Sequence, residues 1–126
     1  MKILITGGAV FIESNLADKL INEGHKVFVI DNLSTGKKEN INKKAIFYKA
    51  DICHLGRILP LFKAIDYVFH LAANPRVVFS VENTIESNKI NVDGTLNVLY
   101  LSYKNKIKRL IFASSSVFME ILKNCH

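Results

Sequence analysis

Cysteine and proline are scarce, with two of each in 126 residues, and tryptophan is absent. The two cysteines, Cys53 and Cys125, could form one bridge at most, and their spacing is unlike the disulfide frameworks that staple small secreted domains. Both read as reduced thiols. Each is followed by a histidine, His54 and His126, but adjacent side chains seldom aim at one ion, so no metal site is expected. Long apolar runs are missing too. The stretch from Ala64 to Ala73 is broken by Asp66 and His70, far short of the roughly 20 residues that cross a bilayer. The opening segment, Met1 to Gly8, has too few apolar positions for a secretory core of about 7–15 residues, so a cytoplasmic location is expected and a membrane is not.

Acidic residues are also in deficit, 11 against 17 basic ones, for a net charge of +6. The lysines are dispersed, with Lys37-Lys38 and Lys43-Lys44 as the densest pairs, and arginine is not interleaved with aromatics as it is in single-strand binders. A solvated basic surface is the reading, and nucleic acid is not an expected partner. What is present is a 49% hydrophobic chain, enough for the core of one compact domain. It has no internal repeat and no low-complexity linker.

Apolar pattern and punctuation give the order of elements. Lys2 to Thr6 is a buried strand running into Gly7-Gly8. From Ile12 the residues Leu16, Leu20 and Ile21 recur at helical spacing, with Gly24 placed to cap the end. Lys26 to Ile30 is a second strand, closed by Asp31-Asn32, which completes a βαβ unit. Leu33 to Lys44 is a polar loop with room for a helical turn, and Ala45 to Tyr48 a third strand. Leu55 to Lys63 is helical in pattern, but Pro60 should end or kink it. Tyr67 to Leu71 is a fourth strand, about Glu82 to Lys104 a long helix, and Arg109 to Ala113 a fifth strand. This alternation predicts an α/β fold, a Rossmann-like doubly wound parallel sheet with five strands in the order 3-2-1-4-5, incomplete relative to its kind. Ligand should sit where the order reverses, between the first and fourth strands.

The first turn bears a dinucleotide fingerprint. Thr6-Gly7-Gly8-Ala9-Val10-Phe11-Ile12-Glu13-Ser14 follows a strand and opens a helix, and Asp31 ends the next strand, where a carboxylate accepts ribose hydroxyls. The segment resembles the turn of extended short-chain dehydrogenases/reductases, usually Thr-Gly-Gly-Ala-Gly-Phe-Ile-Gly-Ser. It departs from that pattern only at Val10 and Glu13. Val10 puts a branched side chain where backbone should approach the pyrophosphate. Glu13 brings bulk and negative charge to the helix N-terminus that should attract it.

Other segments are similar to the NAD-dependent epimerases and dehydratases of that group, of the UDP-glucose 4-epimerase kind. Asp31-Asn32-Leu33-Ser34-Thr35-Gly36 resembles their ribose-binding loop, and Asp51-Ile52 the pair that meets adenine. Phe69-His70-Leu71-Ala72-Ala73 resembles the turn whose backbone lies along the cofactor, with His70 structural. Asn91-Val92-Asp93-Gly94-Thr95 resembles the helix motif whose Asn supports that turn. Phe112 to Phe118 resembles the segment with the catalytic hydroxyl, which falls on Ser115 or, counted from Val117, on Ser114.

The resemblance therefore implies an NAD-binding domain over residues 1–118, with Gly7, Phe11 and Ile12 at the cofactor turn, NAD held weakly because of Val10 and Glu13, and a nucleotide sugar as the substrate of the intact family. It also implies a Tyr-x-x-x-Lys motif beyond the serines, where these residues have none: the Tyr100 to Lys104 spacing lies upstream of them, and Phe118-Met119-Glu120 stand where Tyr-Gly should follow. The expectation is a truncated, catalytically inactive platform with a divergent tail at 119–126 and no C-terminal substrate domain. Two other expectations compete with it: a non-catalytic interaction protein, self-associating through its exposed sheet edge, and a degraded reading frame.

Overall fold

The computed structural model describes residues 1–7, 11–33, 37–71 and 89–112, the side chains of 11–13 and 89–91 excepted. Five parallel strands form one sheet in the order β3-β2-β1-β4-β5, as the alternation of elements required. They are β1 (Lys2–Thr6), β2 (Lys26–Asp31), β3 (Ile46–Lys49), β4 (Tyr67–His70) and β5 (Arg109–Phe112). The second strand runs one residue further than the apolar pattern implied, because Asp31 keeps its ladder position opposite Lys49.

Strands covered on both faces become apolar throughout, yet successive residues still point opposite ways. Leu4, Ile30 and Val68 join Ile52, Ile58, Phe62, Ile65, Val98 and Leu101 on one face. Ile3, Ile5, Val27 and Val29 meet Ala17 on the other. The second face is covered by α1 (Phe11–Asn22), with Leu16, Leu20 and Ile21 packed at its margin. Gly24, at φ +92°, closes that helix: its N–H donates to Ile21 O at 3.0 Å while His25 N–H donates to Leu20 O at 3.1 Å. Only glycine adopts this left-handed conformation freely.

The first face is covered by α2 (Leu55–Ile58), the 3-10 turn Leu59–Phe62 and α3 (Thr95–Lys104). Pro60 lies in the first turn of the 3-10 segment, so the chain tightens there rather than breaking, and Phe62 is delivered fully buried to the core. The polar loop holds one short 3-10 turn, Lys38–Asn40. The long helix expected toward Lys104 is α-helical only from Thr95 within the described residues, since Lys89–Gly94 wind as a π-helical turn. Gly94 explains the close approach at that point. A Cβ added to it would stand 2.6 Å from Ile52 Cδ1 and 2.8 Å from Cγ1, so a side chain there would collide with the core.

Candidate functional site at the carboxyl edge of the sheet

Because every strand is parallel, all five carboxyl ends share one edge. The register aligns Tyr48, Ile30, Thr6, His70 and Phe112 as a row across the sheet. One step beyond that row come Lys49, Asp31, Gly7 and Leu71. The order reverses between β1 and β4, and in open sheets of this kind ligands lodge at that crevice.

Gly7 leaves β1 at φ +83°, with its N–H donated to Ile30 O at 2.7 Å. The chain thus turns sharply while staying tied to β2. Asp31, only 9% exposed, accepts Leu33 N–H at Oδ1 (2.7 Å), and Leu33 itself takes a positive φ of 62°. This tight Asx turn keeps Asp31 at the strand end and leaves Asn32 exposed. A second Asx turn forms at Asp51, whose Oδ1 accepts Cys53 N–H at 2.9 Å. The side chain of Ile52 goes into the core, and its carbonyl accepts Asn97 Nδ2–H at 2.9 Å.

Between β1 and β4 lies a buried polar group. His70 is 1% exposed; its Nδ1 is 2.7 Å from Thr6 Oγ1 and its Nε2 is 2.9 Å from Thr95 Oγ1. Burial pushes the imidazole pKa down to about 4, so the ring is neutral at pH 7. Phe112 packs against it with ring centroids 5.2 Å apart.

Gly7, Asp31, Asn32 and Leu33 thus gather at the β1–β2 side of the edge, Leu71 just past β4, and Asp51 and Ile52 beyond β3. Phe11, Ile12 and Asn91 are placed by their backbones alone, the first two in the opening turn of α1 and the third in the π-helical turn. Val10, Ser34, Thr35, Gly36, Ala72, Ala73, Ser114 and Ser115 lie outside the described residues, as does the side chain of Glu13. Among the described residues no group of three or more His, Cys, Asp or Glu gathers for a metal, and no helix is long and apolar enough to cross a membrane.

Sequence reasoning gave no role to Thr6, Gly94, Thr95 or Asn97. A signal for Thr6 was present: two adjacent, otherwise apolar strands, Lys2–Thr6 and Tyr67–His70, each end on a polar residue, and buried polar groups must find partners. Gly94 and Thr95 fall in the Asn91-to-Thr95 motif, but their contacts with Ile52 and His70 are tertiary.

The chain's backbone superposes on the UDP-glucose 4-epimerase of Thermotoga maritima, solved with UDP-glucose, with a TM-score of 0.89 and 44% identity over 91% of this chain and 38% of that one. A candidate UDP-glucose 4-epimerase of Methanocaldococcus jannaschii is 46% identical over 90% of this chain and 37% of its own length. UDP-glucuronic acid decarboxylase 6 of Arabidopsis thaliana is 39% identical over 94% and 35% respectively. The chain therefore spans between a third and two-fifths of the length of these relatives. With Gly7 turning at the reversal point of a 3-2-1-4-5 sheet, and a sequence match that runs over residues 3–121, the chain belongs to the NAD dependent epimerase/dehydratase family.

Proposed function

We propose that these residues are the dinucleotide-holding part of a nucleotide-sugar epimerase or dehydratase of the UDP-glucose 4-epimerase kind, with NAD lying across the carboxyl edge. The observation that carries this reading is the juxtaposition of Gly7, turning at φ +83°, with the nearly buried carboxylate of Asp31 on the neighbouring strand. The pair fits the cofactor chemically. Ribose hydroxyls are donors, and a carboxylate is an acceptor with two oxygens. A 2′-phosphate would meet the same carboxylate with like charge, which favours NAD over NADP.

When bound, NAD supplies the hydride acceptor for the sugar carbon. The chain's own residues hold and orient. Gly7, with Phe11 and Ile12 in the first turn of α1, borders the pyrophosphate, and the loop from Asp31 to Gly36 the adenosine ribose. Asp51 and Ile52 border adenine, and Leu71, Ala72 and Ala73 run along the cofactor, with Asn91 in support. Ser115, or Ser114 in the other alignment, orients the substrate hydroxyl.

Val10 and Glu13 set the affinity. They obstruct one anion site in different ways, Val10 by bulk over the turn and Glu13 by bulk and charge at the helix N-terminus. Calorimetric titration of NAD into the unaltered chain, Val10→Gly, Glu13→Gly and the double variant tests the reading. Weak binding is expected, with a gain in the double variant of roughly a hundredfold, larger than either single change supplies. Tight binding by the unaltered chain would overturn the obstruction, and no gain in a folded double variant would overturn the site. In the same preparation these 126 residues alone, which contain no Tyr beyond the serines at 114–116, should not interconvert UDP-glucose and UDP-galactose above a heat-killed control. Turnover that survives repeated purification would refute that.

A further inference from the structure

The adenine side of the crevice is braced from behind by the first turn of α3. Gly94, directly before that helix, leaves room for Ile52 and Cys53: a Cβ there would stand 2.6 Å from Ile52 Cδ1 and 3.6 Å from Cys53 Sγ. Asn97 is three positions on and so lies on the same side of the helix. Its Nδ2 is 2.9 Å from the Ile52 carbonyl oxygen. A carbonyl only accepts, so the amide NH2 of Asn97 is the group that faces it. Thr95, between the two, has its Oγ1 2.9 Å from His70 Nε2 at the end of β4, which ties the brace to the sheet.

The carbonyl that Asn97 holds belongs to the peptide unit joining Ile52 to Cys53. That unit is trans and planar, so its C=O and N–H point in opposite directions. Its N–H donates to Asp51 Oδ1 at 2.9 Å. One rigid plane therefore has Asn97 at one end and the Asp51 carboxylate at the other, and a C=O that accepts makes the N–H of its own unit a stronger donor. On the preceding side, Ala50 N–H donates to Asp31 O at 3.2 Å. Asp51 is thus tethered through Ala50 to the end of β2, while the plane that Asn97 holds aims its carboxylate.

We infer that Asn97 is a positioning residue for the adenine end of the site: by holding the Ile52–Cys53 peptide it aims the Asp51 carboxylate, and so sets the discrimination between adenine and a base with no donor at the same place. The discrimination rests on the dinucleotide reading above, whereas the hold on Asp51 does not. Adenine presents an exocyclic amine, which donates. Hypoxanthine has a carbonyl oxygen there, which a carboxylate repels.

The test uses the whole chain, unaltered and as Asn97→Asp and Asn97→Gln. Asn97→Asp keeps the shape of the side chain but sets an acceptor against the carbonyl, and Asn97→Gln keeps the NH2 on a longer arm. Amide hydrogen exchange reads the hold. In Asn97→Asp the Cys53 amide should exchange about tenfold faster, the worth of one hydrogen bond, while the amides of Leu4 and Ile5 in β1 stay protected. Asn97→Gln should recover most of that difference. Titration with NAD and with nicotinamide hypoxanthine dinucleotide, in each chain and again with Val10→Gly and Glu13→Gly added, reads the discrimination. Chains that keep Asn97 should bind NAD about tenfold more tightly than the hypoxanthine dinucleotide, and Asn97→Asp should bring the two affinities together. A purely structural loosening would weaken both dinucleotides alike and leave their ratio unchanged.

In the unaltered protein the Asn97 side-chain NH2 should exchange more slowly than a free asparagine amide, and equal rates overturn the inference whether or not either variant folds. A Cys53 amide that Asn97→Asp leaves unchanged, or that is as fast in Asn97→Gln as in Asn97→Asp, also overturns it. So does equal binding of the two dinucleotides by chains that keep Asn97. If the exchange result holds and no chain binds NAD, the dinucleotide reading falls and the hold on Asp51 stands. If NAD is preferred and Asn97→Asp keeps the preference, the dinucleotide reading stands and the positioning role falls.

Discussion

The two edges of the sheet are held by opposite kinds of chemistry. At the amino edge Asp66 ties three strands together. Its carboxylate accepts Lys2 N–H at 2.9 Å and lies 3.7 Å from Lys108 Nζ, its own N–H reaches Lys2 O at 2.8 Å, and its carbonyl accepts Lys108 N–H at 3.0 Å. These charged groups are open to water. At the carboxyl edge the tie is neutral: buried Thr6 and His70, with half-buried Thr95. A formal charge buried there would set the sign of the field above the β1–β4 edge, so a neutral tie leaves that sign to Asp31 and the helix N-terminus. The amino edge uses charge for cohesion, at the modest strength such exposed pairs have.

The sharpest way to break this contrast is to remove each tie in turn. His70→Leu keeps an apolar side chain of moderate size but leaves the Thr6 and Thr95 hydroxyls without their shared partner. A loss of about 3 kcal/mol is expected from the two lost hydrogen bonds and altered packing against Phe112. Urea denaturation measures it, and a loss under 1 kcal/mol would mean that water or neighbours satisfy these hydroxyls.

Acid separates the edges along another axis. The folded chain holds His70 near 4, below its ordinary 6.5, so the unfolded chain takes up that proton first. The contribution is complete above pH 6.5, is lost as pH falls toward 4, and is on the order of 3 kcal/mol. Its contacts are two hydroxyls and a phenyl ring, none of which titrates in that window. Asp66 is lowered from 3.8, chiefly by the Lys2 backbone N–H and then by the Lys108 charge. Its contribution is present above 3.8 and is lost as pH falls through its depressed value. Thermal melts between pH 7.5 and 3 should therefore show two successive declines. In His70→Leu the upper decline should vanish while the lower one persists.

The smallest effect belongs to the amino edge. Asp66→Asn should shift the midpoint less than His70→Leu does, and the shift should shrink further in 0.5 M salt, where exposed charges are screened within about 4–5 Å. A salt-independent loss equal to that of His70→Leu would erase the distinction between the edges.

The sequence made the carboxyl edge more legible than the parts that brace it. Strand order followed from β-branched runs alternating with helical spacing, and Asp31 was marked by its place after the second of those runs. His70 was read as structural because its motif lies beside the cofactor turn, and it is buried between two threonines. The brace itself was hidden. Thr95 is 25 positions from His70, and Gly94 matters only because Ile52 packs against it, so neither belongs to a local period. Pro60 announced an interruption near Leu55 to Lys63 but not its form, since a ring that blocks an α-helix fits the first turn of a 3-10 segment. The boundaries of β2 and β3 moved by a residue because ladder pairing, not hydrophobicity, decides where a strand stops.

The central position of β1 has a consequence in time. Its partner on one side, β2, begins 24 positions later, Lys2 opposite Lys26, and a βαβ unit of that span can close early. Its partner on the other side, β4, is 64 positions away, Thr6 opposite His70. By chain statistics alone that closure costs about 0.9 kcal/mol more. During synthesis at about 5–20 residues per second, one flank of β1 must wait several seconds for its neighbour. The crevice between β1 and β4 is thus among the later parts of the sheet to form, and until it does the chain carries an open strand edge at its centre.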